Sequence, residues 1–395
     1  MSQQRDIVIV NGTRTAIGTF GGALINVPVC DLASRVTASA IERAAIDPSL
    51  IGHCIFGHVV NTEPRDIYLS RYAAVEAGLP IETPAFNVNR LCGSGLQAVV
   101  SAAQSIRLGD CDAAVAGGAE NMTRLGYWLP TARWGNKMGD VKLVDPLVGA
   151  LNDPFDGCSM GITAENLAKR DTISREDQDK LALSSHQRAA KARDAGYFDE
   201  QILPIEVGRR GKSRLFTADE HIRADTSLEA LAAMTPVFQK DGTVTAGNAA
   251  GINDAAAAVV LADAETAQKE GLTPMARLVN YAHAGVDPKF MGIGPVPAVR
   301  KVLQRSGLKI DDMDIIELNE AFAAQALAVI RALDLPMDKT NPNGSGISMG
   351  HPIGATGAIL LVKTIYELQR IQGRYGLITL CIGGGQGIAA IVERI

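Results

Sequence analysis

Two stretches far apart in this chain echo one another: AGLPIETPAFNVNRLCGSG, which ends at Gly95, and LDLPMDKTNPNGSGISMGHP, which ends at Pro352. In each, an extended piece rich in Asn and Gly leads into a long apolar helix, and an internal duplication is the economical explanation. A chain of 395 residues also exceeds what one ordinary core accommodates. The fold is therefore expected to be two like halves.

Local patterns agree. In the first half, IVIV at 7–10 reads as a buried strand, followed by a turn containing Gly12, Gly18, Gly21 and Gly22. A helix is expected over 31–45, with Asp31 as N-cap and Asp47–Pro48 closing it. Then come a strand at 53–60, a helix at 67–77 and a strand at 83–89. The helix at 96–108 places Val99, Ala102, Ala103 and Ile106 on one face, and 112–118 is a strand. After a returning strand at 255–261, a similar order recurs: strand 276–281, helix 297–306, strand 314–318, helix 320–333, extended 342–348, helix 352–369, strand 375–381. Alternating strands and helices imply a layered α/β domain.

Residues 120–250 have another texture, with longer loops, both tryptophans and a helix at 175–195 capped by Ser174. They read as an excursion covering one end of the core. Its basic run, Arg209, Arg210, Lys212 and Arg214, is either a solvated hairpin or, with Arg223, an attractor for a phosphate-bearing ligand.

If the halves pack about a pseudo-twofold axis, the N-termini of their central helices face one cavity. Cys92, between Leu91 and Gly93, sits at the first of these, where free N–H groups and the helix dipole favour a thiolate. His351 holds the matching place in the second half. Pro352 fits N1 of the following helix, and the same dipole should keep the imidazole neutral and able to take a proton from a thiol. Cys381 ends a strand before Gly383–Gly384–Gly385, a run with no Lys–Ser/Thr of a phosphate loop and no dinucleotide-site context. Such a loop can present backbone N–H groups to a developing oxyanion. Asn319, at a strand-to-helix turn, could cap that helix or orient a water or an oxyanion.

Composition narrows the partners. A formal net charge of −5 argues against a general nucleic-acid binder. The six cysteines show no paired short spacing, so neither a zinc site nor a disulfide framework follows. The longest unbroken apolar stretch, 255–262, is far too short to span a bilayer. Neither terminus carries a secretory, lipidation or peroxisomal pattern, so a cytoplasmic protein is the expectation.

RLCGSGLQAV, NEAFAAQ, NPNGSGISMGHPIGATG and CIGGGQG, in that order, closely resemble the thiolases. RTAIGTFGG, GGAENMT and TAGNAAGINDAAAAVV resemble them too, so the similarity runs from about residue 7 to the C-terminus. The resemblance implies a thiolase fold: two duplicated α/β halves forming a five-layered α-β-α-β-α core with an inserted loop domain. The N-terminal half then spans 1–120 with 253–273 returning to it, the inserted domain 121–252, and the C-terminal half 274–395.

It also implies the chemistry. Cys92 accepts an acyl group from acyl-CoA as a thioester. His351 activates it and shares an oxyanion hole with a water held by Asn319. Cys381 shuttles the α-proton of the second acetyl-CoA, and backbone N–H groups of Cys92 and Gly383 form another oxyanion hole. Met291 and Phe322 match acyl-pocket positions, and Arg223 a contact to the CoA adenine moiety. CoA is then a substrate rather than a resident cofactor, no metal is needed, and a homodimer or homotetramer is expected.

Ser159 stands where many biosynthetic thiolases have His, and Ala250 where many have Ser, so those pantetheine contacts do not carry over. Thr62–Glu63–Pro64–Arg65–Asp66 resembles a branch accepting longer 3-ketoacyl chains. Two alternatives remain at this stage. A decarboxylating ketosynthase using a carrier protein would have no reason for Cys381 in CIGGGQG, and an inactive acyl-CoA-binding relative would not need every catalytic residue type.

Overall fold

The computed structural model describes residues 5–209 and 212–395. The first half contributes β1 (Ile7–Thr15), α1 (Val29–Ala44), β2 (Ile51–Gly57), α2 (Leu69–Glu76), β3 (Ala85–Val88), α3 (Ser94–Leu108) and β4 (Ala113–Asn121). The excursion holds α4 (Met160–Arg170), α5 (Arg175–Asp194), β5 (Ile205–Arg209) and β6 (Lys212–Phe216), after which β7 (Asn253–Asp263) returns to the core. The second half contributes β8 (Ala276–Gly285), α6 (Pro295–Ser306), β9 (Ile315–Leu318), α7 (Ala323–Leu333), α8 (Thr356–Ile371), β10 (Tyr375–Ile382) and β11 (Gln386–Arg394).

The duplication is visible strand by strand. The first sheet runs β3-β2-β4-β7-β1, with β3, β2 and β4 parallel and β7 antiparallel to both its neighbours. The second runs β9-β10-β11-β8 with the same directions: β9 parallel to β10, and β11 antiparallel to both neighbours. The counterpart of β3 has shrunk to one parallel bridge, Ile316 with Thr340, and Thr340 lies in the second echoing stretch. The equivalent edge strands β1 and β8 join antiparallel at Val8–Arg277 and Ile9–Ala276.

β4 and β7 are buried along their whole length, which is why their central stretches read as apolar runs rather than alternating ones. α1 covers one face of the first sheet, α6 packs on the second, and α3 and α8 lie against each other between the sheets. This is the expected five-layered α-β-α-β-α core. The central helices touch backbone to backbone: a Cβ on Gly95 would lie 2.7 Å from the Ala358 nitrogen, and one on Gly357 2.4 Å from the Leu96 nitrogen. Only glycine permits that approach, and it fixes the loop ahead of each helix relative to the other.

The excursion is tied down by charge. Arg14, fully buried in β1, donates to both carboxylate oxygens of Asp219 at 2.8 and 3.0 Å and to Gln201 at 2.7 Å. Removing one partner of such a pair typically costs about 3–5 kcal/mol, because the other charge is left buried and uncompensated. The basic run forms the antiparallel hairpin β5–β6 with Lys212 and Arg214 exposed, while Arg210 lies outside the described residues.

Helix starts differ from expectation in several places, three of which bear on the caps or on the site. α1 begins at Val29 after Pro28, so Asp31 lies in its first turn and does not cap it. α7 begins at Ala323 rather than residue 320, and Gly346–Met349 forms a helical turn inside the segment expected to be extended. Pro352 precedes α8 by a turn in which its carbonyl accepts from Ala355 and Thr356, so it is not N1 of that helix.

Candidate active site

Cys92 sits in a tight turn, Leu91–Gly93, directly before α3. Leu91 holds a left-handed φ of 46°, strained for a side chain of its size. The turn is stabilised locally: Asn89 Oδ1 accepts from the Leu91 N–H at 2.9 Å, while Ser94 Oγ accepts from the Arg90 N–H at 2.8 Å and donates to the Leu91 carbonyl at 2.7 Å. The N–H groups of Gly383 and of Cys92 itself are directed at the Cys92 sulfur.

His351 is buried between Gly350 and Pro352. Its backbone N–H donates to Asn253 Oδ1 at 3.0 Å, so the first half of the chain positions the second half's imidazole. Nδ1 lies 2.6 Å from Thr356 Oγ1. Asn319, at the exit of β9, is anchored by its N–H to the Thr379 carbonyl of β10 at 3.0 Å. Its amide nitrogen approaches the His351 ring at 3.4–3.5 Å. α7 starts beyond Asn319 with Phe322 as its N-cap residue, so Asn319 does not cap it.

One cavity of about 300 Å³ has Cys92, His351, Cys381 and Gly383 on its wall, whereas Asn319 touches the His351 ring but does not line that cavity. That volume is the lower end of the ~300–1,000 Å³ usual for small-molecule sites. Met291 and Phe322 line it as expected, together with Met160, Phe238 and Ile353. The Phe322 and Phe238 rings meet edge to face at 6.1 Å. Ser159 and Ala250 are on the same wall. Arg223 is not: it is exposed, and its backbone N–H donates to His186 Nδ1 at 3.1 Å. Among the described residues no group of side chains could hold a metal ion.

The electrostatics correct one expectation. Burial pushes the Cys92 thiol up to about 11, outweighing the two N–H groups that pull it down, and Glu120 adds to the rise. The resting group is therefore a thiol, because desolvation beats the helix terminus here. Burial alone takes His351 down to about 4, so its neutrality has a different cause from the dipole invoked above. Burial raises Cys381 too, and so does charge on Cys92, which acts across the cavity. Complete proton transfer from Cys92 to His351 in the empty site is strongly unfavourable, because burial disfavours both charged forms. The proton can move only as a new bond to sulfur forms and an oxyanion is stabilised.

Sequence reasoning missed Glu120. Its buried carboxylate accepts from the N–H groups of Val59, Val60 and Gly354, tying the segment after His351 to the first half. GGAENMT contained it, but nothing in that motif signals a hydrogen-bonded clamp.

The family models for the thiolase N-terminal and C-terminal domains match residues 7–265 and 272–394. The chain belongs to the thiolase family. It is an acyl-CoA acyltransferase with thiolase-type transfer and condensation chemistry. This thiolase is 59% identical over 393 residues to the β-ketothiolase BktB of Cupriavidus necator, covering 99% of this chain and 100% of that one. The Bacillus anthracis acetyl-CoA acetyltransferase structure superposes with a TM-score of 0.98 at 46% identity, covering 100% of each chain. The human mitochondrial 3-ketoacyl-CoA thiolase in complex with CoA gives 0.97 at 44%, covering 99% of this chain and 98% of that one.

Proposed function

We propose that this thiolase cleaves short and medium 3-ketoacyl-CoA with CoA, and condenses acyl-CoA in reverse, with Cys92 as acyl acceptor, His351 as its base and Cys381 as the acid–base at the α-carbon. The observation that carries this reading is the single cavity shared by both thiols and the neutral imidazole.

In thiolysis, Cys92 Sγ attacks the 3-keto carbon as its proton passes to His351 Nε2. The oxyanion is stabilised by the donors around the attacked carbon, each worth about 2.7–4 kcal/mol. The C2–C3 bond then breaks, leaving an acyl thioester on Cys92, and the acetyl-CoA enolate takes its proton from the Cys381 thiol. After acetyl-CoA leaves, the CoA thiol gives its proton to the Cys381 thiolate and attacks the acyl-Cys92 carbonyl; the bond from that carbon to Cys92 Sγ breaks, the sulfur takes back the proton held by His351, and shortened acyl-CoA is released. We place Asn319, through a water, and the N–H groups of Cys92 and Gly383 at the oxyanions. CoA is a passing substrate and no cofactor is resident.

The apolar walls formed by Met160, Met291, Phe238 and Phe322 support a hydrocarbon acyl group. The Thr62–Asp66 segment does not line the cavity, so any influence it has on chain length is indirect. Arg223, exposed on the excursion, is kept as a contact for the CoA nucleotide. Exposed Ile67, Tyr68, Ile81 and Phe86 around the edge strand β3, and Trp134 and Met138 on the excursion, support a homodimer or dimer of dimers. Six free cysteines, two of them needed as thiols, support a reducing cytoplasm.

The test is steady-state thiolysis across 3-ketoacyl-CoA lengths from four carbons upward, varying CoA. Parallel double-reciprocal lines are expected from the covalent intermediate. Turnover of a malonyl thioester without thiolysis would instead favour a decarboxylating ketosynthase, and acyl-CoA binding without turnover an inactive relative.

A further inference from the structure

The imidazole of His351 can serve as a base toward the cavity only in one of its two neutral forms, and the residue that selects between them lies on α8. Thr356 Oγ1 is buried and makes two contacts: the Pro352 carbonyl oxygen at 2.9 Å and His351 Nδ1 at 2.6 Å. A carbonyl oxygen can only accept, and a hydroxyl has one hydrogen to give. Both contacts are hydrogen bonds at once only if the hydroxyl donates to Pro352 and accepts from Nδ1–H. The hydrogen is then on Nδ1, and Nε2 keeps a bare lone pair. The amide nitrogen of Asn319 lies almost equally far from the two ring nitrogens, 3.4 Å from Nε2 and 3.5 Å from Nδ1, and so does not choose between them.

We infer that Thr356 is a positioning residue that fixes the Nδ1–H tautomer of His351 and so leaves Nε2 free to accept the Cys92 proton. Which ring nitrogen is bare is set by the hydrogen bond the other one makes. Thr356 does this from the first residue of a rigid helix, and the Thr356–Pro352 bond spans the turn that carries the imidazole. Without the hydroxyl this contact no longer disfavours the Nε2–H form, in which the ring nitrogen turned away from Thr356 is a donor and cannot act as a base.

The inference rests on His351 serving Cys92, and the two claims fail separately, because the tautomer is read without catalysis. Long-range nitrogen–proton spectra of ¹⁵N-histidine-labelled enzyme, with the His351 signals identified by their loss in His351→Asn, are expected to show protonated Nδ1 and bare Nε2. In Thr356→Val, which keeps the shape and removes the hydroxyl, the Nε2–H form should gain population. Acylation of Cys92 by acetyl-CoA in a single turnover should slow about ten- to a hundredfold, the range found when the hydrogen-bond partner of a metal-bound imidazole is removed. KM for acetyl-CoA should hardly move. Thr356→Ser, which keeps the hydroxyl, should restore tautomer and rate together and shows that loss in the valine variant is not misfolding. Nε2–H in the wild type, an unchanged tautomer and rate in Thr356→Val, or equal loss in Thr356→Ser would each overturn the assignment. Wild-type enzyme with the expected tautomer but no acylation of Cys92 would refute the proposed chemistry and leave the tautomer assignment standing.

Discussion

The amide nitrogen of Asn319 lies 3.4 Å from Nε2 and 3.5 Å from Nδ1 of His351, while its own Oδ1 is buried without a hydrogen-bond partner. A side chain that caps no helix and keeps a buried acceptor unpaired has that oxygen free to hold the water proposed at the oxyanion. Asn319→Ala should therefore reduce kcat by about 10²–10³, the loss typical of one oxyanion donor. KM for acyl-CoA and the melting temperature should change little. A variant that binds substrate weakly but turns over normally when saturated would contradict this.

Burial of His351 predicts an unusual acid limb. Its pKa falls from 6.5 to about 4, so the neutral base form persists as pH drops through 6.5 and is lost only near 4. The single-turnover rate of Cys92 acylation, measured from pH 7 to 4.5 where the protein stays folded, should be nearly flat through 6. A drop centred near 6.5 would mean that the base is solvated.

Cys92, pushed up to about 11, should not behave as a pre-formed thiolate. Its alkylation by iodoacetamide in the free enzyme should rise about tenfold per pH unit from 7 to 9, because only the thiolate reacts. A rate that levels off below pH 8 would restore the helix-terminus thiolate expected from the sequence.

Much of the molecule is legible before any coordinates. The duplication, the succession of strands and helices along the chain and the junctions at Cys92, His351 and Cys381 follow from glycines and apolar runs that are local in sequence. The misplaced helix starts at Asp31 and Pro352 are local, whereas the other errors concern properties set by residues far away. Asp31 looks like an N-cap, yet Pro28 starts the helix earlier. Glu320 looks helical, but its carboxylate is drawn to Ser185 and Asn341 at 2.6 and 2.7 Å, which holds that turn outside α7. The state of Cys92 was misjudged because a helix terminus shows in sequence and desolvation by the opposite half does not. Thr356 lay in plain view within HPIGATG, but its role depends on the geometry of a turn.

The glycine contact between α3 and α8 gives a prediction that couples stability to activity. Gly95→Ala would place a methyl 2.7 Å from the Ala358 nitrogen and 3.1 Å from the Ala355 carbonyl. Such overpacking typically costs about 1–3 kcal/mol, which thermal melts would register. Because α3 follows Cys92 directly and Thr356 on α8 contacts His351, acylation should slow even at temperatures where the variant is fully folded. Full activity in a destabilised variant would mean that the two loops are positioned independently of this contact.

Phe322 forms part of the cavity wall and packs on Phe238. Phe322→Ala should move the optimum of kcat/KM toward longer 3-ketoacyl-CoA. Being half-buried, it should cost less than the ~3–5 kcal/mol of a fully buried Phe. An unchanged length profile would place the acyl chain elsewhere in the cavity.

The division of labour between the two sulfurs is tested most directly by mapping the acyl group. Wild-type enzyme and Cys381→Ser are mixed with acetyl-CoA, quenched in acid, digested and sequenced by mass spectrometry, with acetoacetyl-CoA thiolysis assayed in parallel. Acetyl on Cys92 in both proteins, with thiolysis abolished only in Cys381→Ser, is the predicted result; acetyl on residue 381 of the wild type, or loss of Cys92 acetylation in the variant, would contradict it.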